Sequence, residues 1–168
     1  MRRLKCWIAV PLVLAVAAVA TDRAAAVAPV IKDEGKFFSP DAVKKANEEI
    51  RDIAKNYRAD LLIETYESVP ADQVDKVKAM SAGERSEFFH RWARARAEAE
   101  VVNGVFIIIC RNPPHLYVEP TPKFRSTFDE ATVKKLDSIL LQDFRDKHYD
   151  EGLAAAIKFV REKLASSR

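Results

Sequence analysis

The sequence predicts an α/β fold: a small mixed β-sheet flanked by about four α-helices, in an α-β-α sandwich. Two observations carry this prediction. The apolar runs at residues 61–63 and 105–109 have the length and composition of buried strands. Four longer segments before, between and after these runs repeat apolar residues at intervals of three and four, so each has one buried helical face. Interleaved helical and strand patterns favour a sheet covered by helices.

The first predicted helix has a clear start signal. Ser39 can cap the helix, and Pro40 suits the first helical position because its missing N–H would have no partner there. The first strand is predicted over residues 60–65. Residues 67–79 are expected to form a connection that can include a short helix after Pro70. The apolar face of the first helix consists of Val43, Ala46, Ile50, Ile53, Ala54 and Tyr57.

The second predicted helix begins at Ser81, which forms a capping-box pattern with Glu84. Arginines distributed around the other face make it the main charge feature of the chain. This face can dock an acidic partner or lipid head groups, or it can be an ordinary solvated helix surface. Its arginines are Arg85, Arg91, Arg94 and Arg96, and the apolar face is predicted to contain Phe88, Trp92, Ala95 and Ala99.

Two strands follow, joined by the short segment 111–115. They are predicted to be antiparallel neighbours, because a parallel return needs a dozen or more residues. Asn103 and Gly104 precede the first of the two, where they suit either a tight backbone turn or a ligand contact. Cys110 ends the apolar run and is predicted to be buried.

A second capping-box pattern, Thr127 with Glu130, predicts the start of the third helix. Residues 144–150 are expected to connect it to the fourth helix, and residues 165–168 form a C-terminal tail. The inward positions are Val133, Leu136, Ile139 and Leu140 in the third helix, and Leu153, Ile157, Val160 and Leu164 in the fourth.

Residues 1–20 have the pattern of a secretory signal peptide, with a basic start and an uncharged run from Trp7 to Ala20. Small residues at 18–20 and 24–26 place cleavage after residue 20 or as late as 26. The alternative is an uncleaved anchor, but a run of roughly 14 residues at about 1.5 Å each falls short of a hydrocarbon core of about 30 Å. Residues 21–36 are then a lead-in segment.

Removal of the signal changes the charge balance. Residues 1–20 contain three of the 28 basic side chains and none of the 25 acidic ones, so 28 − 3 leaves 25 of each sign. A net charge of zero gives no indication of nucleic-acid binding. Cys110 remains as the only cysteine, so no internal disulfide is expected. The chain is predicted to be exported, to the periplasm or another extracytoplasmic compartment.

No motif for catalysis or cofactor binding is found. The four glycines are scattered, so there is no phosphate-binding loop. The three histidines, His90, His115 and His148, lack metal-ligand spacing and are expected at the surface or rim. A Cys110–His115 nucleophile pair across the hairpin is a weaker alternative, because a reactive cysteine needs an exposed, electropositive setting.

Residues 30–164 resemble the TPM domain family, which includes thylakoid lumen, photosystem II repair and acetylcholine-receptor modulator proteins. The resemblance rests on the order of several short motifs. These are Val-Ile-Lys-Asp at 30–33, Phe-Ser at 38–39, Asn-Gly-Val at 103–105, Phe-Arg at 144–145 and Tyr-Asp-x-Gly-Leu at 149–153. The resemblance implies the same α/β fold.

Some members of the family are described as calcium-binding or as acid phosphatases. This sequence departs from the family where such chemistry would lie: residues 111–114 are Arg-Asn-Pro-Pro instead of an acidic turn, and residues 118–121 contain no glycine. Asp33 and Asp129 match acidic positions of the family and are the candidate metal ligands. Two carboxylates make a poor calcium site, since calcium needs several converging oxygens.

Two functions therefore follow from the sequence. The first is an exported, non-catalytic binding or assembly module of the cell envelope, with a protein partner at or near a membrane and no transmembrane segment after signal removal. The alternative is a calcium-linked, acid phosphatase-like hydrolase. No catalytic residue or resident cofactor is predicted. The candidate binding residues are Asn103, Gly104, Arg91, Arg94 and Arg96.

Overall fold

The structure, a computed structural model, describes residues 29–167, and the predicted signal peptide lies outside them. A four-stranded sheet with strand order β1-β2-β3-β4 forms its centre. β1 pairs with β2 and β2 with β3 in parallel, while β3 and β4 form an antiparallel hairpin. The predicted mixed sheet and hairpin are confirmed. The strands are β1 (Lys32–Asp33), β2 (Asp60–Ser68), β3 (Gly104–Asn112) and β4 (His115–Pro120).

Helices cover both faces of the sheet, which confirms the predicted α-β-α sandwich. The described residues contain α1 (Pro40–Tyr57), α2 (Val74–Ala79), α3 (Ala82–Ala99), α4 (Glu130–Arg145) and α5 (Tyr149–Ser166). The first, fourth and fifth pack on one face of the sheet, and the second and third on the other. The extra short helix is α2, in the connection after Pro70. A single 3₁₀ turn, Ala71–Gln73, leads into it.

The apolar runs of β2 and β3 are continuous because both faces of these strands are buried. Leu61 and Ile63 face the larger core beneath α1, α4 and α5, whereas Leu62 faces α3. The same alternation in β3 places Ile107 in the larger core and Ile108 against α3. Buried parallel strands characteristically show such runs in place of a polar–apolar alternation.

Local capping chemistry fixes the predicted helix starts, with one correction. Ser39 accepts a hydrogen bond from the backbone N–H of Ala42, and Ser81 and Glu84 form the predicted capping box. The predicted capping role of Thr127 is wrong. Asp129 caps α4 instead, since its carboxylate accepts from the backbone N–H of Thr132 at 2.8 Å. Thr127 lies in the preceding turn, where its own N–H donates to the carbonyl of Phe124.

The predicted buried face of α3 is wrong by one position. The buried residues are Phe89, Ala93 and Ala97, whereas Ala95 and Ala99 are exposed. Adjacent phenylalanines and alanines scattered around the helix make two neighbouring faces almost equally apolar, so the spacing alone does not distinguish them. The predicted connection over residues 144–150 is also too long, because α5 already begins at Tyr149.

Candidate binding cleft

A cleft of about 540 Å³ opens near the carboxyl end of β3, between the β3–β4 hairpin, α4 and the start of α5. The carboxyl ends of parallel strands are where open α/β sheets usually bind ligands. The lining is largely apolar and includes Phe37, Ile109, Leu116, Leu141, Phe144 and Tyr149. Three charged side chains, Arg111, Asp137 and Arg145, also line it. The cleft therefore suits an apolar ligand that carries a few polar groups.

The charge of Arg111 is already satisfied within the protein. Its Nη2 donates to the carbonyl oxygen of Gly35 at 2.9 Å, and its Nε donates to Glu67 at 3.0 Å. Its guanidinium carbon also lies 4.2 Å from the centroid of the Phe37 ring, which is a cation–π distance. Arg111 thus holds the loop after β1 against the end of β3 and forms one wall of the cleft.

Asp137 is the unusual charged group of the cleft. Its Oδ1 is buried and has no hydrogen-bond partner in the described part of the chain. Burial raises the pKa of the Asp137 carboxyl from 3.8 to about 6. The sequence pattern does not identify this residue as functional, although it lies four residues after Val133 and four before Leu141 on an otherwise apolar stripe.

We expect Asp137→Asn to raise the free energy of unfolding by about 1–2 kcal/mol at pH 7.5, a value reduced for the residual exposure of this carboxyl. The folded-state pKa is raised, so the wild-type protein loses stability as pH rises from about 4 to about 6. The gain of the variant should therefore vanish near pH 4. Urea unfolding of both proteins across this range measures it, with Asp52→Asn on α1 as an exposed control. A gain that does not depend on pH would contradict the assignment.

Cys110 and His115 are register partners in the hairpin, but both are held in unreactive forms. Burial raises the pKa of the Cys110 thiol to about 11, so the thiol is protonated at neutral pH. Burial and the nearby charge of Arg85 lower the pKa of His115 to about 4, and its ring stacks on Phe89 with centroids 4.0 Å apart. Cys110 is buried as predicted, whereas His115 is half-buried against a helix.

Asp33, the first candidate metal ligand, lies at the end of β1 and organises the loop that follows. Its two oxygens accept hydrogen bonds from the backbone N–H groups of Phe37 and Phe38, each at 3.0 Å. The hydroxyl of Thr65 donates to the same carboxylate. These three contacts occupy much of the capacity of Asp33 to bind a ligand.

Asp129, the second candidate, is exposed at the start of α4 and caps that helix. Hydrogen bonds from Thr132 lower its pKa. It lines a groove beside β4, whereas Asp33 lies in β1, at the opposite edge of the sheet. The structure therefore does not bring the two candidates together. Among residues 29–167, no three His, Cys, Asp or Glu side chains converge as metal ligands.

Asn103 and Gly104 lie at the amino end of β3, away from the cleft. The Asn103 backbone N–H donates to Asp60 at 2.8 Å, and its side-chain amide donates to the carbonyl of Arg58 at 3.2 Å. A Cβ on Gly104 would lie 1.9 Å from the backbone oxygen of Asp60. Gly104 thus permits the close approach of two backbones, and Asn103 forms hydrogen bonds across it, so both residues have a structural role here.

The three candidate arginines of α3 separate into two groups. Arg91 and Arg94 are exposed and pair along the helix with Glu87 and Glu98, at 3.9 and 3.0 Å. Arg96 instead points to the sheet, so the prediction that it shares their solvated face is wrong. Its Nη2 and Nε donate to the two carboxylate oxygens of Glu64 at 2.6 and 2.8 Å.

Glu64 is the centre of a buried ionic network that the sequence pattern does not predict. Its side chain is only 1% exposed and directly follows the apolar run of β2. Besides Arg96, Lys32 of β1 lies 3.2 Å away, and the Tyr66 hydroxyl donates at 2.6 Å. Burial alone would raise the pKa of Glu64, but hydrogen bonds from Arg96, Tyr66 and Lys32 outweigh it and lower the pKa. The network joins β1, β2 and α3.

Comparison with known proteins supports the fold described above. The TPM domain family matches residues 31–163. No curated protein matches the chain significantly. None of the helices in residues 29–167 is long and apolar enough to cross a bilayer.

Three solved structures are similar in fold. The N-terminal domain of a protein from P. gingivalis shares 15% identity and a TM-score of 0.61, covering 82% of each chain. The N-terminal domain of the cg2496 protein from Corynebacterium glutamicum shares 12% identity and a TM-score of 0.57, covering 82% of this chain and 81% of that one. The BA42 protein from Bizionia argentinensis shares 15% identity and a TM-score of 0.54, covering 78% and 83%. The family match spans most of the sequence, and the chain therefore belongs to the TPM domain family.

Proposed function

We propose that this TPM domain is an exported, non-catalytic binding or assembly module of the cell envelope, whose cleft binds an apolar segment of a protein partner. The largely apolar lining of the cleft carries this proposal, since apolar concave sites with few polar groups are typical of ligand sites. Leu141 is one of the exposed large apolar side chains of the described residues and lies at the rim of the cleft.

Two charged side chains that could serve hydrolysis, Asp33 and Arg111, are engaged within the protein. Asp33 holds backbone N–H groups of its own loop, and Arg111 is bound to Gly35 and Glu67. A phosphoryl-transfer site normally gathers cationic groups or metal ions around the phosphate. The cleft instead offers mainly ring and aliphatic surfaces, and its two arginines do not converge on a free site: Arg111 is bound within the protein and Arg145 is exposed. These features favour binding over the calcium-linked phosphatase that the family resemblance suggests as an alternative.

A photo-crosslinking amino acid at position 141 tests the binding function in cells that produce the full chain. The matched control carries the same group at Lys135, which is exposed on the same helix and does not line the cleft. We expect a discrete adduct with one envelope protein from position 141 and none from position 135. Equal adducts from both positions, or none, would contradict the proposal. The mass of the recovered chain tests export, with an expected start between residues 21 and 27.

Hydrolysis of p-nitrophenyl phosphate by the purified protein, with and without calcium, tests the alternative. No turnover above that of the buffer is expected. Turnover that requires calcium and is lost in Asp33→Asn would show that the protein is a phosphatase, and the binding proposal would then be wrong.

A further inference from the structure

Among residues 29–167, no strand pairs with the outer edge of β4, which runs along the cleft. The Thr121 N–H donates to the carbonyl of Gly104. Because backbone groups alternate in direction along a strand, Thr121 and every second residue before it in β4 direct their N–H and C=O groups toward β3. In this register, Leu116 and Val118 direct their backbone N–H and C=O groups away from β3. Neither residue makes another backbone hydrogen bond within residues 29–167. Pro120, which has no N–H, occupies the next outward position, as expected at an edge.

A stripe of α4 flanks this open edge. Val133 shares a groove of about 320 Å³ with Val118 and Pro120, while Asp137 and Leu141 share the larger cleft with Leu116. The stripe therefore runs antiparallel to β4. An additional strand paired with β4 would lie beside it, with every second side chain directed to α4.

The spacing of the stripe matches that of a strand. Val133, Asp137 and Leu141 are separated by four residues each, or about 6 Å along a helix axis. Alternate residues of a strand are about 6.8 Å apart. Three side chains on the same face of an added strand can thus lie opposite Val133, Asp137 and Leu141, which are apolar, acidic and apolar.

The acidic side chain at the middle position has a buried oxygen that no described residue contacts by a hydrogen bond. The buried Oδ1 of Asp137 has no partner in the part of the chain that the structure describes. Arg111 in the same cleft is bound to Gly35 and Glu67. Arg145 is exposed, one helical turn beyond Leu141, so water and salt screen its charge. A ligand that supplies a cation opposite Asp137 would satisfy this carboxylate.

We propose that the partner segment binds in an extended conformation as a fifth strand along β4, and that it places a lysine or arginine side chain against Asp137 between two apolar side chains. This inference rests on the proposed function and specifies the chemistry of its partner. Main-chain hydrogen bonds to Leu116 and Val118 provide affinity, and the α4 stripe provides specificity, as in other cases of β-strand addition.

Titration of the chain from residue 21 with eight-residue peptides, followed by NMR, tests this inference. In the peptides, valine and threonine alternate, and the third valine is replaced by lysine or by uncharged norleucine. We expect the lysine peptide to bind at least tenfold more tightly, as for a charge-assisted hydrogen bond. Binding should also slow amide exchange at Leu116 and Val118 at least tenfold. Asp137→Asn should remove the preference for lysine, and the control Asp52→Asn should retain it.

Several results would overturn the inference. They are equal affinity for the two peptides, a lysine preference that persists in Asp137→Asn, and binding that leaves exchange at Leu116 and Val118 unchanged. Self-association that the lysine peptide does not compete with would identify a second copy as the occupant instead. If any of these occurs while the adduct from position 141 is retained, this inference is wrong and the proposed function still holds. Loss of the adduct would refute the proposed function itself.

Discussion

Replacing Arg96 by methionine is expected to lower the free energy of unfolding by about 3–5 kcal/mol, because it leaves a buried charge without its main partner. Glu64 is 1% exposed, and Arg96 holds both of its oxygens, at 2.6 and 2.8 Å. Methionine keeps much of the apolar bulk of the arginine, so the loss reports on the ion pair and less on packing. Urea unfolding at pH 7.5 measures it.

Two comparisons isolate the contribution of the buried carboxylate to the free energy of unfolding. Arg94→Met removes an exposed pair with Glu98 on the same helix and should cost under about 0.5 kcal/mol. Glu64→Leu combined with Arg96→Met removes both charges and should recover most of the stability, since apolar replacements of buried pairs are often neutral. If Arg96→Met lowers the free energy of unfolding no more than Arg94→Met does, the network does not hold α3 to the sheet.

The pH dependence of the network has a definite sign. The pKa of Glu64 is lowered in the folded protein, so its contribution is fully present above the ordinary value of 4.5 and is lost as pH falls through the lower folded-state pKa. Without Arg96, one of the hydrogen-bond donors that lower the pKa of Glu64 is lost, so this pKa is higher in the variant than in the wild type. The difference between wild type and Arg96→Met should therefore shrink below about pH 4.5.

The second large effect is expected at Gly104. An alanine Cβ there would lie 1.9 Å from the carbonyl oxygen of Asp60, its register partner in β2. Neither group can move without breaking the pairing of β2 with β3, because the carbonyl of Asp60 and the Cα of residue 104 both belong to the backbone of paired central strands. Gly104→Ala should therefore cost about 3 kcal/mol or more, at the upper end of overpacking effects.

Gly83→Ala is the matched control for this substitution. No atom lies within 4 Å of a Cβ at Gly83, which is exposed in the first turn of α3. Alanine there should increase stability by about 0.5–1 kcal/mol, because glycine loses more conformational entropy on folding. Equal stability of the Gly104→Ala and wild-type proteins would contradict the close approach of the two strands.

The predictable parts of the fold are those that neighbouring residues determine. Ser39 and Ser81 cap helices through contacts within three residues, so a short sequence window contains the whole signal. The hairpin follows from the brief connection between β3 and β4. The cap of α4 was missed because Thr127 and Asp129 both offer a suitable oxygen. Aspartate is the stronger N-cap, and the turn of the backbone at Phe124 selects it.

The remaining features depend on residues distant in sequence. Glu64 is a charged residue in a buried strand, and its main partner, Arg96, lies 32 residues later in the sequence. β1 has two residues, and only its pairing with β2 makes it a strand. Asp137 lies at an inward helical position, but whether its Oδ1 finds a partner among residues 29–167 depends on the packing of β4 and α4. The sequence thus predicts the layers, while the chemistry of the cleft emerges from contacts between them.

The position of Trp92 has a spectroscopic consequence. Trp92 is half-buried on α3, with its ring centroid 4.7 Å from that of Tyr66, which donates to Glu64. The other tryptophan, Trp7, lies in the predicted signal peptide, so a chain that starts after residue 20 has one indole. Its fluorescence would thus report, without any added label, whether the third helix is docked on the sheet.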